Sequence, residues 1–165
     1  MRVHAYAVAL MFANSSAAGQ VSVPSANKDA PLPGSAYQAN LHALAHANTD
    51  YRRVISTADR MQLVVMSIPP GGDIGEEQHQ RVEQILVAVE GEGKVIVNGV
   101  ASPFRPGDVV FLRPGAKHNF INTGTTQLKL FTIYSPPNHL RGRVHATKAD
   151  AQADKADEAF GAAVK

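Results

Sequence analysis

The stretch "GGDIGEEQHQRVEQILVAVEGEG", from Gly71 to Gly93, places Glu76, Glu77, His79, Glu83 and Gln84 within nine residues. It lies between a glycine turn and the apolar run Ile85 to Val89. A surface segment would scatter such side chains, and a plain core strand would exclude them. The cluster therefore marks the entry of a strand whose inner face tolerates polar groups. Two arrangements satisfy such groups: a closed hydrogen-bonded network, or shared coordination of a metal ion.

Outward from this stretch the chain reads as short β-type runs separated by turn signals. They are "YRRVIST", "MQLVVMSI", "QILVAVEG", "KVIVNGV", "DVVFL", "HNFINTG" and "LKLFTIY", between Tyr51 and Tyr134. Asn98-Gly99 marks a two-residue hairpin, since both residues tolerate the positive φ of a type I′ turn. Seven or eight short strands in about 90 residues predict an all-β sandwich or barrel with little helix.

Both ends differ from this middle. Residues 1–18 carry Arg2 and His4, a short apolar run and small residues, the pattern of a signal peptide cleaved near Ala18. A loose cytosolic leader fits equally, so cytoplasmic, periplasmic and secreted locations all stay open. The run is too short to span a bilayer, which takes about 20 apolar residues. Residues 19–50 read as a linker ending in a short helix, "YQANLHALAHAN", with Leu41, Leu44 and Ala45 on one side. His42 and His46 on that helix lack a third ligand nearby and are expected to face solvent. Residues 51–137 form the barrel, and 138–165 a C-terminal loop and helix. Thr147 and Asp150 predict a capping-box start for that helix, whose weak apolar face predicts light docking. His139, His145, Tyr37 and Tyr134 are expected to anchor or pack.

The 165 residues carry a formal net charge of +2 and are 44% hydrophobic, enough for a packed core. No long basic block is present, which argues against a nucleic-acid surface. "RGRVH", Arg141 to His145, reads as a solvated loop. The absence of cysteine excludes disulfides, thiolate metal sites and cysteine nucleophiles. Any metal must be held by histidine, carboxylate or amide oxygen. Glu77 and His79 are two apart, so an extended strand projects both to one face. Gln84 and His118 each open a later strand able to return to that face.

The region Ser67 to Asn122 resembles the two-part signature of the cupin superfamily, small jelly-roll barrels (double-stranded β-helices). "EQH", Glu77 to His79, stands where the first cupin motif has His-x-His; Gln84 takes the glutamate place, and Gly91 closes the motif. The second motif is matched by Gly107-Asp108, "VVFLRPGAKH" and Asn122. From about Tyr51 to Asp150 the chain is similar to short single-domain cupins of the mannose-6-phosphate isomerase-like (type-2) group. The resemblance implies a divalent metal, Mn, Fe, Ni or Zn, held by Glu77, His79, Gln84 and His118. It also implies a homodimer and a small-molecule ligand, with no membrane partner. Two departures matter: Glu77 replaces a histidine and Gln84 replaces the glutamate. The carboxylate count stays at one, but an imidazole gives way to a weak amide ligand, which should lower affinity. Glu83 is a less suitable substitute for Gln84, because a one-residue slip turns it to the opposite face.

The functional expectation is a metal-binding cupin acting on a small oxygen-rich metabolite, by isomerisation or by oxygenation. In an isomerase, Glu77 or Glu83 would move the proton. The alternative is a cupin that binds a sugar or metabolite without turning it over.

Overall fold

A computed structural model describes Gly34 and residues 36–164. The leader expected over residues 1–18 and most of the expected linker lie outside the described residues. Ten strands form two antiparallel sheets. They are β1 (Arg52–Thr57), β2 (Gln62–Ile68), β3 (Glu77–Gln78), β4 (Glu83–Glu90), β5 (Gly93–Val97), β6 (Val100–Phe104), β7 (Val109–Leu112), β8 (Lys117–Asn122), β9 (Leu128–Ser135) and β10 (Val144–His145). The larger sheet runs β10-β1-β2-β9-β4-β7 and the smaller β3-β8-β5-β6. Every strand in the list of expected runs is present. The reading missed β3 and β10, two residues each, and β6. The last contains Ser102 and Pro103, poor strand formers tolerated because β6 is a sheet edge.

The period-two pattern orients the interior. On β9, Leu128, Leu130, Thr132 and Tyr134 are buried in alternation, and on β8 so are His118, Phe120 and Asn122. On β4, Gln84, Leu86 and Ala88 share the inward face. Leu86, Phe104, Phe120, Leu128 and Leu130 fill the space between the sheets, with Phe104 edge-on to Phe120 at 4.9 Å. Each such side chain contributes about 1.5–3 kcal/mol by leaving water. One end of the barrel is thus apolar, while the row ending in Gln84, His118 and Tyr134 makes the other end polar.

Two backbone positions hold the pleat in register. Asn98 and Gly99 have φ of 48° and 84°, and they join β5 to β6 with Val97 opposite Val100. Gly91, at φ 83°, lies where a Cβ would come within 2.4 Å of the Gln127 carbonyl oxygen. Asn122, matched to the second cupin motif, serves the chain path. Its amide donates to the Ile68 and Thr126 carbonyls at 2.7 and 2.8 Å and accepts from Gly124 N–H at 2.9 Å.

Helix α1 (Leu41–Ala47), capped by Asn40, lies on the outer face of the larger sheet. Its Ala45 and Leu44 cover Val65, Val89 and Phe131, which explains why β2 is apolar on both faces. His42 and His46 face solvent, and His46 Nδ1 meets Glu90 at 2.6 Å. Helices α2 (Lys148–Ala153) and α3 (Lys155–Ala163) close the chain, and Thr147 and Asp150 form the capping box at α2. Among the described residues no helix is long and apolar enough to cross a membrane.

The C-terminal segment is not lightly docked. Asp157, on α3, is 2% exposed, and its Oδ2 meets Arg52 Nη2 at 3.0 Å and His139 Nδ1 at 2.9 Å. Asp154 receives His145 Nε2 at 3.0 Å and Arg143 Nη2 at 3.2 Å. These ion pairs hold α3 where its apolar content alone would not. "RGRVH" is accordingly part anchor: Arg143 and His145 are engaged, while Arg141 is exposed.

Candidate metal centre and its cavity

Strand β3 pairs with β8 so that Glu77 lies directly opposite His118. His79 follows β3 immediately, its carbonyl fixed by the Gly115 N–H at 2.7 Å. The turn "RPGAK" thereby secures both ends of the cluster, since Gln78 also donates to the Gly115 carbonyl at 2.9 Å. Glu77, His79 and His118 each offer one ligand atom, all within 4.8 Å of one another.

The tautomers are constrained. His118 Nδ1 lies 2.9 Å from the Ala116 carbonyl, which can only accept, so Nδ1 carries the hydrogen. In the neutral ring Nε2 is then a bare lone pair. Burial favours that neutral ring and lowers the His118 pKa, against the opposing pull of the Ala116 bond and of Glu77. Yet this Nε2 stands 3.8 Å from Glu77 Oε2, and His79 Nε2 stands 3.5 Å from the same oxygen. Both nitrogens are buried without a hydrogen-bond partner. Two donors each about 2.1 Å from a zinc-sized ion at a tetrahedral angle stand about 3.4 Å apart. The spacing suits a cation between the groups. Glu77 is ready for one: burial would raise its pKa, but His79 beside it overrules that and holds it below the usual carboxylate range.

Gln84 is buried on β4, its Nε2 donating to Thr132 Oγ1 at 3.1 Å, and its Oε1 has no partner. Glu83, its neighbour, is exposed on the other face. Arg113 is exposed as well.

A cavity of about 710 Å³ opens against the cluster. Glu77 and His79 line its barrel side, His139 the loop after β9, and Lys148, Lys155 and Asp157 the helical side. His118 and Gln84 are buried and lie outside its wall. Tyr134 is buried edge-on beside His79, at 6.3 Å, and beside His139, at 5.2 Å. Burial, reinforced by the Glu77 charge, raises the pKa of the Tyr51 and Tyr134 phenols, so both stay neutral. The helical wall is what sequence reasoning missed. Asp157 sits in "ADKADEAF", which carries no motif, and only the buried pairing with His139 reveals it.

Residues 64–134 match the family model described as "Cupin domain". The chain is 38% identical over 120 residues to the uncharacterized protein YrkC of Bacillus subtilis, covering 69% of this chain. It is 34% identical to an uncharacterized protein of Acanthamoeba polyphaga mimivirus, covering 66% of this chain and 70% of that protein. The crystal structure of BH2720 from Bacillus halodurans aligns with a TM-score of 0.70 at 36% identity, over 71% of this chain and 93% of that one.

This chain belongs to the cupin superfamily.

The two sheets are those of the cupin double-stranded β-helix, and the Glu77–His79–His118 cluster occupies the stretches matched to the two cupin motifs. This cupin spans 64% of the length of YrkC.

Proposed function

We propose that this cupin holds a divalent metal through Glu77, His79 and His118, with Gln84 Oε1 as a fourth donor, and takes a small oxygen-rich ligand from the adjoining cavity. The observation that carries this reading is the long approach of two unpartnered imidazole nitrogens to one carboxylate oxygen, at 3.5 and 3.8 Å. A proton cannot bridge His118 Nε2 and Glu77 Oε2 well at 3.8 Å, but a cation of Mn, Fe, Ni or Zn size fits between them. Nitrogen and oxygen donors with no thiolate suit that group of ions. When bound, such an ion supplies Lewis acidity toward a carbonyl or hydroxyl oxygen. The chain's own part is to orient the ligand against Glu77 and His79, exclude water with α2 and α3, and keep the Tyr134 phenol protonated.

Elemental analysis after loading with Zn or Mn tests the site. Wild type should retain close to one ion per chain, and the His79→Ala/His118→Ala variant almost none. Equal, near-zero retention in both removes the metal reading.

The reaction class is either isomerisation or oxygenation of the bound ligand. The second reading, a cupin that binds without turnover, draws support from the carboxylates themselves: Glu83 is exposed, and Glu77 Oε2 already faces two imidazoles. Neither is a free base toward the cavity.

The homodimer expectation has its support elsewhere. Strand β7 is a sheet edge with Val109 and Phe111 exposed on one face. Paired edges would cover both the apolar side chains and the open backbone groups. Light scattering of wild type against Phe111→Lys checks this; a monomeric wild type removes it.

A further inference from the structure

We propose that Asn119 is a positioning residue of the metal site: by holding a β-bulge at Gly75, it turns Glu77 and His79, rather than Glu76 and Gln78, toward His118. The backbone pairing that sets this register is independent of any ion; the purpose given to it rests on the metal-site reading.

The segment entering β3 already runs antiparallel to β8. Asp73 pairs with Ile121 in an isolated bridge, and the Ile74 N–H donates to the Phe120 carbonyl at 2.9 Å. Strand β3 then sets Glu77 opposite His118 and Gln78 opposite Lys117. Between these pairings one side advances from residue 73 to 77 and the other from 121 to 118. The entering segment therefore holds one residue more than its partner, which makes a β-bulge. Gly75 lies inside it at φ 108°, a conformation glycine adopts without a Cβ penalty.

The extra residue decides the faces. Unbroken pairing from Asp73 would put Glu76 opposite His118 and Glu77 opposite Lys117. Side chains alternate along a strand, so Glu76 and Gln78 would then point inward, and Glu77 and His79 outward. The bulge reverses that choice. Glu77 and His79 join the cluster with His118, while Glu76 is exposed and pairs with Lys117 at 2.7 Å.

A bulge takes an amide out of the ladder, and the Asn119 side chain replaces the lost partner. Its Oδ1 accepts from the Gly75 N–H at 3.0 Å. Its Nδ2 donates to Asp73 Oδ2 at 2.9 Å, and a carboxylate only accepts, so the amide is held one way round. Asp73 also receives Lys148 Nζ from α2, which braces the same clamp from the helical wall. Asn119 thus grips the bulge on both sides, one residue from His118.

The test uses the full chain, first without metal. The Gly75 amide should exchange slowly with D₂O in wild type, and about 10-fold faster in Asn119→Ala, as loss of one hydrogen bond implies. A wild-type Gly75 amide that exchanges like an open loop overturns the proposal. Zinc affinity is then read by competition with a chromophoric chelator. Asn119→Ala should bind zinc about 10–100-fold more weakly while keeping a native spectrum. Asn119→Val serves where the alanine variant does not fold. Deleting Gly75 removes the extra residue yet leaves Glu77 opposite His118, so most of the lost affinity should return when that deletion is added to Asn119→Ala. A merely structural asparagine would not be rescued in this way. Unchanged affinity in the single variant, or no recovery on deleting Gly75, overturns the proposal. A wild type that takes up no zinc sinks the metal-site reading and the purpose with it, and the Gly75 exchange rate tells the two failures apart.

Discussion

Two walls of one cavity carry histidine–carboxylate pairs, and their spacings differ. On the barrel wall Glu77 Oε2 stands 3.5 Å from His79 Nε2 and 3.8 Å from His118 Nε2. On the helical wall Asp157 Oδ2 stands 2.9 Å from His139 Nδ1, and behind that wall Asp154 Oδ2 stands 3.0 Å from His145 Nε2. The short pairs hold a hydrogen between donor and acceptor. In the long set His118 has already spent its hydrogen on the Ala116 carbonyl, and a lone pair faces a carboxylate oxygen. Similar residue types at nearly similar positions thus build a latch on one side and a ligand site on the other. What separates them is where the imidazole hydrogen goes.

The comparison is most exposed to failure at Asp157. Removing a buried carboxylate leaves Arg52 and His139 without compensation, so Asp157→Ala should lose about 3–5 kcal/mol in urea unfolding. Limited proteolysis should then cut first between the barrel and α3. A loss under about 1 kcal/mol would mean the latch is not one.

On the barrel wall the expected response is to metal rather than to truncation. Ion at about 100 times its Kd should stabilise wild type by about 2.7 kcal/mol in thermal unfolding, and His118→Ala hardly at all. Equal stabilisation of both would erase the distinction between the walls.

Acidification should act on both walls, and more gently, since burial lowers the His118 pKa as well as that of His139. Burial lowers the His139 pKa, so on acidification the unfolded chain takes up that proton first, and stability falls as pH drops below the ordinary 6.5. Asp157 is desolvated too, but the His139 hydrogen bond overrules that and its pKa is lowered. Its contribution is complete above the ordinary 3.8 and is lost as pH falls below it. Asp154, held at about 2 chiefly by the His145 hydrogen bond, is lost last. His139→Gln should flatten the first part of this decline; an unchanged profile from pH 7 to 4 would show that His139 is not protonated on unfolding.

The smallest effect belongs to Glu83. Because it is exposed on the far face of β4, Glu83→Gln should change stability by less than about 0.5 kcal/mol and leave metal retention unaltered. A large change in retention would mean that β4 presents the wrong residue inward.

Much of this was legible in the residues. The alternation along "QILVAVE" and "LKLFTIY" orients β4 and β9. Asn98-Gly99 turns β5 into β6, and Thr147 with Asp150 starts α2. Residue spacing fixed which of Glu83 and Gln84 faces inward, because side chains on a strand alternate with period two. The two-residue strands β3 and β10 left no period to detect, and β6 hid behind a proline.

What the chain's own order determined was local: strand faces, turns, caps and the candidate ligands at Glu77, His79, Gln84 and His118. These depend on neighbours two to four residues away, whose geometry the backbone dictates. The helical wall was decided only by the folded chain. Asp157 lies 105 positions from Arg52 and 18 from His139. No periodicity links such distant residues, and an ion pair becomes specific only when burial strips water from both partners.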